Sequence, residues 1–480
     1  MRHTSIWPIT ALLIALLATA CAGDDGTTTE GEVGEAVAVE TAEDVQPTSP
    51  EEGAGATPTD DVATAEDTAD SATEEPSDAA TDAEAGDGGL VAPVQGMACE
   101  EGASAAGDPI VVGGSLSLTG PLAPTAAIHD AVGGVVAAWV NECGGIDGRP
   151  LEWQALDDQS TPAQAASKYE RLINDGVDLV MGPYGGANIL AAAGPVGRAG
   201  YVFPTHTNGA PDKEIGEFHF PSWQFGSGVE EDIFSSAGQT LYDAVASGGA
   251  PPQTVFYATS KFPTTQALTD ATRQVFEDNG AETVDSVEYD LGTTDFSSIA
   301  LRIASADPDF IYIGGLAADA VNFYDAFSTV GYEPRGIHIA LPAPATLPVI
   351  GDAADGLTVL SIYENHPPFS EDPIAQEFTE RFQTAAEEGE LFPVIETQAA
   401  ASLGAWQILL TGVVETGGVD NAAIGEYLNG AAVQTIAGEV TFDGFNNYGV
   451  DLNRITQIQD GERVLVWPED VAAAEFRSGS

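Results

Sequence analysis

Apolar and polar positions divide the 480-residue chain into two regimes. From Ile110 onward, short apolar runs alternate with stretches of helical spacing. Ile110-Val111-Val112 opens a first strand, 130–141 has helical spacing, 151–156 is a strand and 162–173 a helix. A third strand (179–181), a helix (188–198) and a fourth strand (201–203) follow. Thr161, Pro162 and Gln164 fit the N-cap, N1 and N3 positions of a capping box. Strands alternating with helices at this pitch predict a parallel sheet covered on both faces.

After a turn-rich stretch at Gly226 to Gly228 the pattern restarts, with strands expected at 254–258, 284–289, 310–313, 337–341 and 357–362. Helices are expected at 264–278, 296–305 and 317–330, then at 373–388, 396–414 and 421–429, before a β-rich finish over 440–467. Two successive α/β units of similar size predict two doubly wound parallel-sheet lobes. Such lobes form ligand sites at the carboxyl ends of their strands.

The first residues follow another logic. Arg2 and His3 precede an apolar run, Ile9 to Leu17, that ends in Ala18-Thr19-Ala20 before Cys21. That is the layout of a secretory signal peptide over residues 1–20, and the run is too short to span a bilayer comfortably. A cysteine after small residues resembles the bacterial lipobox, which implies cleavage before Cys21 and its lipidation. Residues 22 to about 95 are almost all Ala, Thr, Glu, Asp, Gly, Ser and Pro, with no aromatic side chain. This composition does not offset its ordering entropy, so 21–107 reads as a disordered acidic tether.

Charge narrows the function classes. Fourteen Lys and Arg face 75 Asp and Glu, for a net charge of −61. From Asp108 onward 52 acidic and 13 basic residues leave the globular part at −39. Nucleic-acid binding needs a basic stripe and is excluded; adhesion to anionic lipid through protein charge fails likewise. An acidity so far beyond need suggests a surface adapted to high salt. Cys21, Cys99 and Cys143 are too few for a disulfide scaffold and lack zinc spacing, so no metal is expected. In an exported protein Cys99 and Cys143 are expected to be bridged.

The run Ser115-Leu116-Ser117-Leu118-Thr119-Gly120-Pro121-Leu122 resembles the opening of the Leu/Ile/Val-binding family of bacterial solute-binding proteins. Gly144 to Arg149, Asp157-Asp158-Gln159-Ser160, Gly182-Pro183-Tyr184 and Leu291 to Phe296 follow in that family's order. The resemblance implies a type I periplasmic-binding fold, two lobes joined by three hinge crossovers near Gly226, Tyr363 and Asp443. By analogy the first lobe takes 108–226 and 365–443, the second 227–364 and 444–468, with 469–480 as a C-terminal tail.

The resemblance also implies site residues. The loop after the third strand, Gly182 to Ala187, would hold a solute carboxylate through Tyr184, Gly185 and Gly186, glycines standing where the family commonly has serines. After the fourth strand, Thr205 and Thr207 match positions that meet the solute's amino and carboxylate groups, with His206 between them as a hydrogen-bonding side chain. In the second lobe Phe262 and Leu316 replace a more polar wall. The ammonium-binding Glu of the family is matched by Ala343, and a lid aromatic by Thr125. Glu364 or Asp319 would have to stand in for that carboxylate, and Trp223 and Tyr363 lie near enough to the crossovers to stack on a solute.

The expectation is therefore an extracytoplasmic lipoprotein on the bacterial cell membrane, monomeric and without cofactor, that passes a small amino-acid-like solute to an ABC permease. A sensing receptor on the same fold, or a binder of amides or aromatic carboxylates, remains open. Catalysis is not expected, since no nucleophile elbow, phosphate loop or His-Glu-x-x-His occurs.

Overall fold

In the computed structural model the described residues are 90–100, 102–206, 215–226, 234–249, 251–316, 319–341, 347–389 and 391–478. The expectations for Cys21, Thr207, Gly228 and Ala343 lie outside them.

The first lobe begins with β1 (Ile110–Leu116), α1 (Ala123–Glu142), β2 (Leu151–Asp157) and α2 (Pro162–Asp175). It continues through β3 (Leu179–Met181), α3 (Gly186–Ala199), β4 (Phe203–Thr205) and β5 (His219–Pro221). Strands β2, β1 and β3 pair in that order, all parallel, and β4 pairs with β5. Gly182 N–H donates to the Pro204 carbonyl (2.8 Å), which ties the two groups together. Alternation along each strand sends side chains to opposite faces. Val180 and Phe203 pack with Tyr169, Leu172, Ile189 and Val196 of α2 and α3, whereas Val112 and Met181 join Val132 and Val136 of α1.

The second lobe holds α4 (Ser235–Ser247), β6 (Thr254–Ser260), α5 (Pro263–Asp278), β7 (Glu282–Tyr289), α6 (Ser297–Ala306) and β8 (Phe310–Gly314). Next come α7 (Asp319–Val330), β9 (Ile337–Ile339), α8 (Leu347–Ile350) and β10 (Thr358–Ser361). The chain then returns to the first lobe for α9 (Pro373–Glu388), α10 (Thr397–Thr416), α11 (Asn421–Leu428) and the hairpin of β11 (Ala432–Thr435) and β12 (Gly438–Thr441). It ends in the second with β13 (Arg454–Gln459) and β14 (Glu462–Trp467). The second sheet runs β14-β13-β10-β9-β8-β6-β7, parallel except for β13 and β14. Phe256, Ile311 and Ile313 face Phe323 of α7, while Tyr257 and Tyr312 share the other core with Leu268 and Phe276 of α5.

The strands of the two passages nearest the chain's ends are zipped together. Phe225 forms an antiparallel bridge with Asp451, Gly226 N–H donates to Val450 O (3.0 Å) and Leu452 N–H to Gln224 O (3.3 Å). The third passage thus falls at 450–452 rather than at Asp443, because Asn447 still donates to the His219 carbonyl of the first lobe. The middle passage follows β10, where Arg454 donates to the Ile362 carbonyl and Arg463 pairs with Glu364 (3.0 Å).

Three sequence expectations change, and the expected disulfide is present. Residues 90–100, assigned to the tether, pack on the first lobe: Val94 is 3% exposed, Trp139 Nε1 donates to Val91 O (2.6 Å) and Gln407 Nε2 to Pro93 O (3.2 Å). Cys99 Sγ is bonded to Cys143 Sγ, with Cα atoms 4.1 Å apart. The tail from residue 469 docks on the second lobe, where Gln457 holds both the Arg477 N–H and carbonyl and Phe476 packs into the core. Thr161 is the N-cap of α2 but closes no capping box; its hydroxyl donates back to the Asp158 carbonyl (3.2 Å).

Candidate functional site

Side chains at and just after the carboxyl ends of β1, β3, β6, β7 and β8 pack together. A buried carboxylate, Asp158, and a half-buried one, Asp157, brace the first-lobe loops. Asp158 accepts from the hydroxyls of Ser115 (2.9 Å) and Ser117 (2.6 Å) and from Ser160 N–H (3.0 Å). Asp157 accepts from Thr119 Oγ1 (2.7 Å). The motifs Ser115 to Thr119 and Asp157 to Ser160 therefore hold each other in place, which fixes Leu122 at the start of α1.

An apolar cluster crosses from lobe to lobe. Leu116, Leu122, Ala126 and Tyr184 of the first pack with Phe262 of the second, flanked by Leu118, Leu291 and Leu316. Phe262 is the N-cap of α5, followed by Pro263 at N1, so its ring projects from the helix start and is 8% exposed. Gly185 has φ +91°, a backbone state that side chains rarely adopt. A Cβ there would sit 3.4 Å from Phe262 Cζ and 3.5 Å from Leu122 Cδ1, so glycine also leaves room for the ring. Gly186 opens α3, whose first-turn N–H groups point away from the helix toward this space.

Thus Tyr184, Gly185, Phe262 and Leu316 are brought together, with Gly186 beside them. The Thr205 hydroxyl is spent as a donor: it donates to His219 Nε2 (2.8 Å), while His219 Nδ1 donates to Asn446 O (3.2 Å). A carbonyl only accepts, so the proton of this ring is on Nδ1. Burial holds the His219 pKa down to about 4, against the raising effect of the Asn446 carbonyl.

His206 is buried against His129 of α1, rings stacked at 3.8 Å, and His129 lies 5.2 Å from the Tyr184 ring. Burial lowers the His206 pKa to about 3, countered by the Gly182 carbonyl beside it, and pushes His129 well below its usual value, with His206 adding to the effect. Both rings are neutral at ordinary pH.

Neither proposed substitute carboxylate is available. Asp319 accepts from Tyr289 Oη and Leu316 N–H (2.9 Å each), and Glu364 is held by Arg463 and Ser361. Trp223, stacked on Phe225 at 5.3 Å, and Tyr363 are buried at the crossovers. Thr125 reaches the Tyr184 hydroxyl instead of forming a lid.

Sequence reasoning missed His129, Glu396 and Gln398. Glu396 is the N-cap of α10, 2% exposed, and its side chain makes no capping bond. Burial pushes its pKa up to about 8, against the pull of Arg463 and the Gln398 N–H, with Glu364 raising it further. The available signal was a lone carboxylate beginning a helix that is apolar almost throughout. Among the described residues no group of three or more His, Cys, Asp or Glu is arranged to hold a metal ion, and no helix is long and apolar enough to cross a membrane.

Residues 109–462 match the family described as periplasmic binding protein. The leucine-, isoleucine-, valine-, threonine- and alanine-binding protein of Pseudomonas aeruginosa is 21% identical over 351 residues, 71% of this chain and 87% of that protein. Among solved structures, the leucine-binding protein LivK of Thermotoga maritima superposes with a TM-score of 0.61 at 19% identity, covering 74% of this chain and 97% of that one. An R. palustris ABC transporter solute-binding protein in complex with benzoate gives 0.64 at 18% identity, covering 76% and 98%.

Proposed function

The chain belongs to the periplasmic binding protein family, and from that premise we propose that it is an extracytoplasmic lipoprotein, anchored at Cys21, that captures a small amino-acid-like solute between its lobes and delivers it to an ABC permease. The observation that carries the reading is the apolar cluster that spans both lobes at the carboxyl ends of their strands, with Phe262 laid against Gly185. Closure around a solute would present both lobes to a permease in one relative orientation, and it needs no chemistry in this chain.

A second reading, an aromatic carboxylate as solute, draws on the same apolar wall and on the benzoate bound by the R. palustris protein. A thermal-shift screen of the protein against amino acids, amides and small carboxylates separates the two, because a bound solute raises the midpoint by mass action. Midpoints that rise with amino acids support the first reading. Midpoints that rise only with carboxylates lacking an amine refute it.

A further inference from the structure

We propose that Glu396, at the start of α10 in the first lobe, is the carboxylate that receives the protonated amine of the solute, together with Gln398 and His206. This rests on the amino-acid-like reading above and sharpens it.

The geometry is that of a buried polar cluster with unmatched atoms. Glu396, Gln398, His129 and His206 come from α10, α1 and the loop after β4, and each is 98% or more buried. Among the described residues Glu396 Oε1 and His206 Nδ1 meet no hydrogen-bonding partner, and the His129 ring and Gln398 Oε1 meet at most each other. His206 bonds the Gly182 carbonyl, which only accepts. Its other ring nitrogen is the donor there, so Nδ1 is left as a lone pair. Once the carboxyl ionises, Glu396 Oε1 and His206 Nδ1 are thus two open acceptors. The four groups share one neighbourhood: His129 stacks on His206, lies beside Gln398 and tilts against Tyr184, whose hydroxyl feels the Glu396 charge.

Leaving buried polar atoms unmatched is costly, about 1–3 kcal/mol each, so such a set is kept for something that fills it. A primary ammonium supplies three donors and one positive charge. The other charged and titratable groups that act on Glu396 are Arg463 of β14, which is committed to Glu364, and Glu364 itself, which repels it. Among the described residues no cation is therefore dedicated to Glu396. Tyr184, whose ring forms part of the apolar cluster, connects this polar end to the wall of Phe262 and Leu316, so an amine at Glu396 directs the rest of a solute along the apolar side.

One experiment reads the proposal in two ways. Full-length protein is titrated calorimetrically with pairs of probes that differ only in the amine: L-leucine against 4-methylpentanoate, and L-phenylalanine against 3-phenylpropanoate. Wild type should prefer the aminated member, and Glu396→Gln should weaken it more than tenfold while barely changing the deaminated one. Glu396→Asp should retain the preference. Independently of any variant, repeating the titration in buffers of different ionisation enthalpy at pH 7 should show about 0.9 proton released per solute, since a carboxyl with a pKa near 8 ionises when the ammonium arrives.

Aminated probes that bind wild type and Glu396→Gln equally, or without proton release, overturn the assignment of Glu396 and leave solute capture standing. Deaminated probes that bind better in both proteins do the same. A wild type that binds none of the four overturns the amino-acid-like reading and this inference with it.

Discussion

The commitment of the Thr205 hydroxyl to His219 decides whether Thr205 can touch a solute, and it has a measurable signature in acid. In an unfolded chain a histidine titrates near pH 6.5, whereas His219 in the folded protein stays neutral down to about pH 4. Its folded pKa is depressed, so the stability it contributes is complete above pH 6.5 and is lost as pH falls from there toward 4. Between pH 7 and 5.5 the unfolded chain takes up about 0.7 proton at this position and the folded one almost none. Integrating that difference gives a loss of about 1.2 kcal/mol. His219→Gln removes the titration. The variant also loses hydrogen bonds to Thr205 and Asn446, at a cost of about 1–3 kcal/mol that does not depend on pH.

The assay is urea unfolding of both proteins at pH 7, 6.25 and 5.5. The stability advantage of the wild type should shrink by about 1.2 kcal/mol across that range. Contributions from His206, His338 and Glu396, whose pKa is shifted the other way, cancel in the comparison. An advantage that stays constant or grows as pH falls would mean that His219 is protonated in the folded protein. It would then donate from both nitrogens, and the Thr205 proton would be free to point elsewhere. That result would refute the arrangement described for this loop.

Three further outcomes are expected. Phe262→Ala removes a ring whose burial is worth roughly 1.5–3 kcal/mol and part of whose contact lies on the opposite lobe, so solute affinity measured calorimetrically should fall about 10- to 100-fold; unchanged affinity with a lowered melting midpoint would make the ring a packing residue only. Replacing Cys99 and Cys143 with Ser should lower stability in urea by about 4 kcal/mol, from the loop that a sequence separation of 44 closes, and an undiminished midpoint would contradict it. With −39 on the globular part, the unfolding midpoint should rise from dilute buffer to molar NaCl, where screening acts over roughly 3 Å instead of 10 Å; a flat response would remove the high-salt interpretation.

Much of the fold was legible because strands buried on both faces are continuous apolar runs, and β1, β3, β6 and β8 all have that character. Helix α4 was missed for a physical reason. Its buried side is made of small residues, Ala237, Gly238, Thr240 and Ala244 around Leu241, so no stripe of large side chains marks it. A Cβ on Gly238 would lie 2.8 Å from Thr272 Cα, which shows how closely α4 and α5 approach. The three-residue β5 contains His and Pro, and only its pairing with β4 makes it a strand.

In the cleft, residues fixed by local turn chemistry were found: Tyr184 and Gly185 at the start of α3, and Phe262 before Pro263. What failed was any inference that depended on distant partners. Thr205 looked able to donate until His219 came beside it from β5, and Asp319 and Glu364 looked able to stand in for a carboxylate until Tyr289 and Arg463 paired with them. Glu396 and His129 are separated by 267 positions and acquire meaning only where the returning helix α10 meets α1.

The strap from Leu90 to Cys99 gives the molecule a mechanical asymmetry. Val94, Trp139, Gln407 and the Cys99–Cys143 bond all belong to the first lobe, and the chain before Leu90 is joined to the protein there. Whatever force reaches Leu90 from the chain before it passes into α1 and α10 of the first lobe, through Trp139, Gln407 and Cys143, before it meets any strand of the second.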